Sequence, residues 1–525
     1  MGWLLRKNPR PGARWRRVLV GLALAALALG VVAASQAEVR RPGPGGYRGA
    51  AGYRGPAFRG PGAFRPGRMG PTAAMRRPGF GPAARWGARP NGPFAARGPL
   101  GQRPLFNRGP VQGGRDARLA AFRARYGPLP GERGFTGVPP PGERRFVQNE
   151  MVLHVEADVS PETVQNVAAR LGLTQIGYSR FDLVGRGLYR FRIANGRSVE
   201  DVIRAMEAEK ISATAQPNYV FRLQQDLNAA RRQPAGNGYQ YVVAKWRLND
   251  VHRVATGKNV LVAMIDSEVD QRHPDLAGAI ADRLEPIGLD FKPQPHGTGM
   301  AGAMASHRSL VGVAPGVKIL AVNAFGSDAE TVYGTTEQIL KGIDWAIAKG
   351  AKIINMSFAG PRDPLVQLAL KKAYDKGIVL VAAAGNAGAQ SEPLFPAADP
   401  NVIAVTATDV NDALLPQANR GAHISVAAPG VDILVPAPNA QYQLTSGTSV
   451  SAAEVSGVVA LMLERKPDAD PEAIRNALQT TAKDLGPRGR DDDFGWGLVD
   501  PYLAMLALDN AALANARPPT PVPQQ

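Results

Sequence analysis

Residues 259–266, NVLVAMID, carry an unbroken apolar run that ends in an acidic residue. A strand with one face in water alternates apolar and polar residues, whereas a strand of a parallel sheet is buried on both faces and is apolar throughout. Comparable runs follow, separated by amphipathic helical patterns such as TEQILKGIDWAIAKG. They are KILAVNAF, AKIINMSF, IVLVAAAGN and NVIAVTATD. Strands that alternate with helices predict an α/β fold over residues 241–508, with a mainly parallel sheet covered by helices on both faces.

Residues 146–225, upstream of this region, show a different pattern. EMVLHVEA, LYRFRI and AQPNYVFRLQ predict strands, and SPETVQNVAARLGL and SVEDVIRAMEAEKI predict helices between them. Ser160 and Ser198 stand at the N-cap positions of the two helices. Helices inserted between strands in such a short segment predict a small ferredoxin-like α+β domain. Residues 226–240 predict a polar linker, and residues 509–525 predict a disordered tail.

The basic character of the chain is concentrated at its N-terminus. The formal net charge is +18, and the first 145 residues hold 27 of the 62 basic side chains but 4 of the 44 acidic ones. Residues 38–145 are rich in Arg, Gly and Pro without a helical or strand period, which predicts a disordered segment. Arginine suits contact with oxyanions, so we expect an anionic envelope polymer rather than nucleic acid as its partner. A spacer without a partner is the alternative.

Residues 1–37 have the layout of a secretory signal. Six basic residues precede the apolar run Val18–Ala34, and small residues follow as far as Ala37. The run is nearly long enough to span a bilayer, so an uncleaved signal anchor is the alternative, and only then is membrane contact expected. Both interpretations predict export to a periplasmic, extracellular or envelope-associated location.

Three polar residues stand where predicted elements begin or end. Asp266 ends the first apolar strand, His296 precedes a small-residue helix, and Ser449 precedes the helix VSAAEVSGVVALMLER. Catalytic groups collect at the carboxyl ends of parallel strands, and a helix N-terminus stabilises negative charge. The chain has no cysteine, so catalysis would use hydroxyl, imidazole and carboxylate groups. A serine nucleophile needs a base, and that base needs a carboxylate to orient it.

The segments AMIDSEVDQRHPDL, HGTGMAGAM and SGTSVSAAEVSG resemble the three signature blocks of the subtilisin-like serine peptidases, the subtilases, in that family's order. The resemblance implies a subtilisin-like fold and a serine endopeptidase that works through an acyl-enzyme. It implies Asp266 as the orienting carboxylate, His296 as general base and then acid, and Ser449 as nucleophile. VAAAGNAG resembles the family's oxyanion block and nominates Asn386 as a donor to the tetrahedral oxyanion.

The same resemblance implies a binding site for protein or peptide substrates. NMSFAGP resembles the family's extended segment that pairs with substrate backbone, and AAG before Asn386 resembles part of the pocket for the residue before the scissile bond. The residues implied are Ser357, Phe358, Ala359 and Gly360 in the edge strand, and Ala384 and Gly385 in the pocket.

The upstream α+β domain resembles the family's propeptide, which is a foldase and a temporary inhibitor. The resemblance implies that the chain's own propeptide is a partner of the peptidase domain. It also implies a zymogen that cuts itself in the linker between Gln224 and Tyr241.

Some positions depart from the family pattern. Glu268 stands where the family usually has Gly, and Ala453 and Glu454 replace its usual Pro and frequent His. We expect these residues to modulate activity. Asp275 matches a calcium ligand of many relatives, but the loop SHRSLVGVAPG lacks the insert that supplies the other oxygens, so no metal or cofactor is predicted. The alternative function is a catalytically silent scaffold whose Arg-rich segment binds anionic polymers.

Overall fold

The structure of the chain is a computed structural model. It describes residues 114–183, 185–194, 196–224, 240–287, 292–328 and 331–515. The predicted signal or anchor at residues 1–37 and nearly all of the predicted linker lie outside these ranges. Within them, no helix combines the length and the apolar character that a membrane crossing requires.

The Arg-rich segment contains a helix, α1 (Arg115–Tyr126). Phe122 of this helix is buried against Phe395, with ring centroids 6.1 Å apart. The prediction of disorder is therefore wrong for residues 114–145, and residues 38–113 lie outside the described part. The prediction failed because a short Ala- and Arg-rich run of good helix propensity stands between segments rich in Gly and Pro. In addition, the residue that buries Phe122 is distant in the sequence.

The α+β domain begins at Phe146. Its elements are β1 (Phe146–Val155), α2 (Pro161–Arg170), β2 (Leu173–Phe181), β3 (Arg186–Ile193), α3 (Val199–Ala208) and β4 (Ala213–Leu223). The strands are antiparallel in the order β2-β3-β1-β4, which is the ferredoxin-like arrangement. The predicted caps are confirmed, because the Ser160 and Ser198 side chains accept hydrogen bonds from the backbone N–H groups of Thr163 and Asp201.

The larger domain follows from residue 240. Its strands are β5 (Leu261–Asp266), β6 (Ile280–Leu284), β7 (Lys318–Asn323), β8 (Gly326–Asp328), β9 (Thr331–Thr335), β10 (Ile353–Met356), β11 (Phe358–Ala359), β12 (Val379–Ala383), β13 (Val402–Thr408), β14 (Ile424–Pro429), β15 (Ile433–Ala437) and β16 (Gln441–Thr445). Its helices are α4 (Tyr241–Lys245), α5 (Leu248–Val251), α6 (Pro295–Ala305), α7 (Thr336–Ala348), α8 (Pro364–Asp375), α9 (Thr448–Arg465), α10 (Pro471–Thr481) and α11 (Pro501–Asn515).

Helix α11 corrects a second prediction of disorder. It continues into the predicted tail as far as Asn515, and Asp509 forms an ion pair with Arg465 of α9 at 2.8 Å. The tail prediction is therefore wrong for residues 509–515, because the helix continues along a neighbour that the local sequence does not reveal.

Seven parallel strands form the central sheet of the larger domain, in the order β14-β13-β12-β10-β5-β7-β6. Alternate residues of β5 belong to two cores. Val262 and Met264 pack in a core with α6, α9, α10 and α11, whereas Ala263 and Ile265 pack in a core with α7 and α8. Both faces of each strand are therefore buried, which explains the unbroken apolar runs and confirms the predicted α/β class.

The second of these cores continues into the α+β domain. Residues of β1 and β4 share it with α7 and α8. At its end, β4 also runs antiparallel between two strands of the larger domain. Val220 and Phe221 pair with β9, and Arg222 and Leu223 pair with β11. The last residues of the α+β domain therefore lie in a cleft of the larger one.

Candidate active site

Three buried side chains meet the cleft from three different elements. Asp266 is the last residue of β5, a strand inside the parallel sheet. His296 is the second residue of α6, and Ser449 is the second residue of α9. The sequence placed His296 just before its helix, whereas Pro295 begins the helix one residue earlier, consistent with the preference for proline at the first helical position.

Asp266 and His296 form a hydrogen-bonded pair. The distance from His296 Nδ1 to Asp266 Oδ1 is 2.7 Å. The same oxygen accepts from the backbone N–H of Ser267 at 2.7 Å and from its hydroxyl at 3.1 Å. A carboxylate oxygen accepts, so Nδ1 is the donor of this hydrogen bond, and in the neutral imidazole Nε2 is then an acceptor. His296 Nε2 is buried and has no hydrogen-bond partner among the described residues.

The Ser449 hydroxyl contacts two carbonyl groups. Its Oγ lies 3.1 Å from the carbonyl oxygen of Ser357 and is also within hydrogen-bond distance of the carbonyl oxygen of Gln224. It makes no hydrogen bond to His296 here. The Ser357 hydroxyl donates to the Ser449 carbonyl at 2.9 Å, so the residue that precedes β11 and the start of α9 are joined in both directions.

Asn386 is held so that its amide can donate. Its Oδ1 accepts from the backbone N–H of Thr448 at 3.1 Å and from the Thr448 hydroxyl at 2.9 Å. Its Nδ2 is buried and unpartnered among the described residues. An unpaired buried donor of this kind could bind an oxyanion that forms only during a reaction.

Gly447 leaves the space that this donor faces. Its φ is +150°. A Cβ at this position would lie 2.7 Å from the Gln224 carbonyl oxygen and 2.8 Å from Asn386 Nδ2. The carbonyl and the amide therefore face one small volume, which stays open because glycine has no side chain.

Gln224 occupies the centre of the cleft. Its backbone N–H donates to the Ser357 carbonyl at 3.3 Å, and its Oε1 accepts from the backbone N–H of Asn386 at 2.9 Å. Three residues earlier, the Phe221 ring packs edge-on against Phe358 with centroids 5.7 Å apart. The chain here lies as a peptide would lie when it adds a strand to a sheet edge.

The remaining predicted binding residues lie around this segment. Phe358 and Ala359 pair with Leu223 and Arg222, and Gly360 lies against the Phe221 ring. Ala384 and Gly385 are buried beside Asn386, and Gly385 donates its N–H to the Thr448 hydroxyl at 3.1 Å.

Two acidic departures from the family pattern differ in their surroundings. The Glu268 carboxylate is paired with Arg283 at 3.2 Å, and burial raises its pKa although Arg283 opposes that shift. Glu454 is buried in α9, and burial raises its pKa well above the ordinary value because the positive charge of Lys245 does not offset it. Ala453 is fully buried beside Glu454 in the same helix.

The Asp275 carboxylate does not fit a calcium site. One of its oxygens accepts from the backbone N–H groups of Arg308, Ser309 and Leu310, and the other accepts from the Tyr442 hydroxyl at 2.7 Å. Burial would raise its pKa, but these hydrogen bonds lower it below the ordinary value. Both oxygens are therefore engaged by donors, and the described ranges hold no group of three His, Asp or Glu suited to a metal.

Sequence reasoning missed the residues that support the site. Thr448 orients Asn386, Ser267 supports Asp266, and Asn355 links Ser357 to Ser456 through hydrogen bonds of 3.0 Å. Thr448 and Ser267 are the immediate neighbours of the predicted triad residues, and this adjacency was the available signal. Asn355 lies in an apolar strand run and carried no such signal.

Comparisons with known proteins agree with this geometry. The sequence profile of the subtilase family matches residues 257–497. The thermophilic serine proteinase of Bacillus sp. strain AK1 is 31% identical over 371 residues, which span 69% of this chain and 88% of that protein. Fervidolysin of Fervidobacterium pennivorans is 36% identical over 281 residues, 47% of this chain and 40% of that protein.

A solved structure is similar as well. The crystal structure of fervidolysin, described as a keratinolytic enzyme related to subtilisin, superposes with a TM-score of 0.59 at 26% identity. The match covers 71% of this chain and 62% of that chain. Because the family's sequence profile matches and a relative is matched over 88% of its length, the chain belongs to the subtilase family and is a serine-type endopeptidase.

Proposed function

We propose that this chain is an exported zymogen that hydrolyses peptide bonds through an acyl-enzyme, with Asp266, His296 and Ser449 as its triad. The α+β domain is its propeptide, and its substrates are proteins or peptides that bind as an added strand. The observation that carries the proposal is the position of Gln224, whose carbonyl oxygen is within hydrogen-bond distance of the Ser449 hydroxyl and faces the same small volume beside Gly447 as the Asn386 amide.

The pairing of His296 with Asp266 supports the following reaction, in which the approach of His296 Nε2 to Ser449 Oγ is itself part of the proposal. His296 Nε2 takes the proton of Ser449 Oγ as that oxygen attacks the substrate carbonyl. The negative charge that develops on the carbonyl oxygen receives hydrogen bonds from Asn386 Nδ2 and the backbone N–H of Ser449. Asp266 holds the imidazole through Nδ1 and stabilises its charged form. His296 then gives the proton to the leaving amine, and water hydrolyses the acyl-enzyme by the same steps in reverse.

The position of residues 221–224 supports a more specific proposal for the bond that the chain cuts in itself and for the substrates that it prefers. Strand pairing to β11 ends at Leu223, so the Gln224 carbonyl is the one presented to Ser449. We therefore propose cleavage of the bond between Gln224 and Gln225. A glutamine before the cut is favoured by the hydrogen bond from the Asn386 N–H, and a large aromatic residue three positions earlier is favoured by Phe358.

Export rests on the signal-like residues 1–37 and on relatives such as the minor extracellular protease of Bacillus subtilis. The Arg-rich residues 38–113 would then meet anionic polymers of the envelope. Binding that remains after residues 146–525 are deleted, and that falls steeply with salt, would support this partner.

Intact-mass analysis of residues 38–525 tests the main proposal, with wild type beside Ser449→Ala. We expect the wild type to be cut after Gln224 and the alanine variant to stay whole. Asn386→Ala should slow the cut by roughly a hundredfold to a thousandfold, as loss of an oxyanion donor does. The exposed Asn411→Ala is the matched control and should cut at the wild-type rate.

If both chains stay whole and a fluorophosphonate probe does not label Ser449, the catalytic proposal fails. The catalytically silent scaffold with a binding Arg-rich segment would then take its place.

A further inference from the structure

Helix α1 packs on the larger domain through an aromatic cluster. Phe122 and Tyr126 both meet the Phe395 ring edge-on, with centroids 6.1 Å and 5.4 Å away, and Phe122 is only 5% exposed. Edge-to-face aromatic pairs that are closed to water add to the stabilisation that burial of their area provides. The contact therefore anchors the helix.

Arginines of the same helix pair with carboxylates of the larger domain. Arg118 donates two hydrogen bonds to Glu472, at 3.0 Å and 2.6 Å, in the fork geometry that makes such pairs strong. Arg115 pairs with Asp375 at 2.6 Å. Basic side chains thus meet acidic ones on helices α8 and α10, and the helix has a defined orientation on this face.

The contact reaches the back of the substrate-binding strand. The Arg362 guanidinium donates to the backbone carbonyls of Tyr126 and Pro128 and lies 5.4 Å from the Phe122 ring centroid.

Phe395 exchanges two backbone hydrogen bonds with Gly360, at 2.8 Å and 3.1 Å. The aromatic cluster is therefore one residue away from the strand that pairs with Arg222 and Leu223.

The chain that follows α1 attaches to the α+β domain. The Thr136 hydroxyl and the backbone N–H of Gly137 each donate to Glu207 of α3 at 2.8 Å. Gly137 lies so close to β4 that a Cβ would overlap the Ala215 carbonyl oxygen. One segment therefore contacts both domains, and it lies far along the chain from the predicted linker at residues 226–240.

We propose that residues 114–142 form a latch that keeps the α+β domain bound over the active site after the linker has been cut. This inference rests on the proposed zymogen function. Cutting after Gln224 removes the covalent connection between the two domains. The latch remains part of the N-terminal fragment and keeps its contacts with helices α8 and α10. Release of the fragment, and with it access to Ser449, then requires two contacts to break. One joins α1 to helices α8 and α10, and the other joins the α+β domain to the larger domain.

The latch can be tested without relying on the activity of the chain. Residues 38–525 with Ser449→Ala, and with the recognition sequence of an unrelated site-specific protease inserted between residues 225 and 239, are immobilised by a C-terminal tag and cut. The quantity measured is the rate at which the N-terminal fragment leaves. We expect Arg118→Glu to raise this rate about tenfold or more, since it turns an attraction into a repulsion.

Arg133→Glu is the matched control, because Arg133 is exposed in the same segment and undergoes the same charge change. It should release the fragment at the parent rate. Phe122→Ala should accelerate release as well. If Phe122→Ala prevents folding, Arg118→Glu still tests the proposal, because Arg118 is partly exposed and its replacement should leave the fold intact.

Equal release rates for Arg118→Glu and Arg133→Glu would overturn the latch. Because an added protease makes the cut, this result is independent of whether Ser449 is a nucleophile. If the chain fails to cut itself in the intact-mass experiment but Arg118→Glu releases the fragment faster than the parent, the zymogen proposal fails and the latch proposal stands. With Ser449 restored, Arg118→Glu should also shorten the lag before activity appears.

Discussion

Glu454 is a carboxyl group inside the core of the larger domain. It is 2% exposed, five residues beyond Ser449 on α9, and its Oε2 has no hydrogen-bond partner among the described residues. The cation that acts on it is Lys245, whose ammonium group instead contacts Asp412 at 2.5 Å. Burial therefore raises the pKa of Glu454 well above the ordinary value of 4.5.

The raised pKa predicts a loss of stability at high pH. The folded state holds this proton more tightly than the unfolded state, so its contribution is complete below pH 4.5 and is lost as pH rises through the folded pKa. Between the two values the loss is about 1.4 kcal/mol per pH unit. Glu454→Gln, in the Ser449→Ala background, should therefore gain stability over its parent from pH 5 to pH 9.

Urea unfolding at several pH values measures this gain. Glu162→Gln is the matched control, because Glu162 is exposed on α2. Parallel stability curves for Glu454→Gln and its parent would contradict a neutral, buried Glu454.

At the scale of elements, the cleft is defined by three antiparallel strands from two domains. Strand β4 lies between β9 and β11, and its last residues occupy the cleft. Gly360 follows β11, and a Cβ there would lie 2.5 Å from the Phe221 ring. The absence of a side chain at Gly360 thus makes room for an aromatic residue in the bound strand.

Gly360 therefore predicts a preference for an aromatic residue at this position of substrates. Burial of a phenylalanine side chain is worth about 1.5–3 kcal/mol, so the wild type should prefer Phe-Arg-Leu-Gln anilide over Ala-Arg-Leu-Gln anilide by roughly ten- to a hundredfold in kcat/KM. Gly360→Ala should lose most of this preference by slowing only the Phe substrate. The Ala substrate is the internal control, and a variant that keeps the full preference would refute the role of Gly360.

At the scale of the whole molecule, the α+β domain and the N-terminal segment 114–142 both pack on the larger domain. The α+β domain contributes to the same core as α7 and α8, and α1 adds charged contacts at α8 and α10. Burial alone would raise the pKa values of Glu472 and Asp375. Hydrogen bonds from Arg118 to Glu472, and from Lys371 and Arg115 to Asp375, lower both pKa values below normal.

These shifts predict that acid loosens the interface. A carboxylate whose folded pKa is lowered contributes stability above its ordinary pKa and loses it as pH falls through the folded value. Burial, with the positive charges of Arg125 and Arg490, lowers the pKa of His423 near α1 to about 4, so its protonation would also oppose the folded state. The cut, tagged chain should therefore release its N-terminal fragment faster near pH 3.5 than at pH 7.

The Arg118→Ala variant separates the latch from general acid effects. This variant should release the N-terminal fragment faster than its parent at pH 7. Acid should accelerate its release less than that of the parent, because Glu472 has already lost its strongest partner. An acid acceleration of equal size in both chains would show that these carboxylates are not responsible.

The amino-acid sequence by itself determined the α/β class and the neighbourhoods of the candidate site. Apolar runs such as NVLVAMID are a local property of strands buried on both faces, and they can be read without any knowledge of the partner strands. Asp266 ends such a strand and Asn386 follows another, and the topology of a parallel sheet brings these ends to one edge, whereas Ser449 stands at the start of a helix. The two helix caps, Ser160 and Ser198, were likewise local.

Only the tertiary structure decided which residues fill the cleft and which segment covers helices α8 and α10. The hydrogen bonds from Ser449 to Gln224, from Arg118 to Glu472 and from Thr448 to Asn386 join segments far apart in the chain. No periodicity in the sequence records such pairings. Residues 114–145 have a disordered composition, yet Phe122 becomes buried because another domain supplies its partners. Burial is a property of the folded chain, and only the structure shows that the acidic residue Glu454 lies in the core.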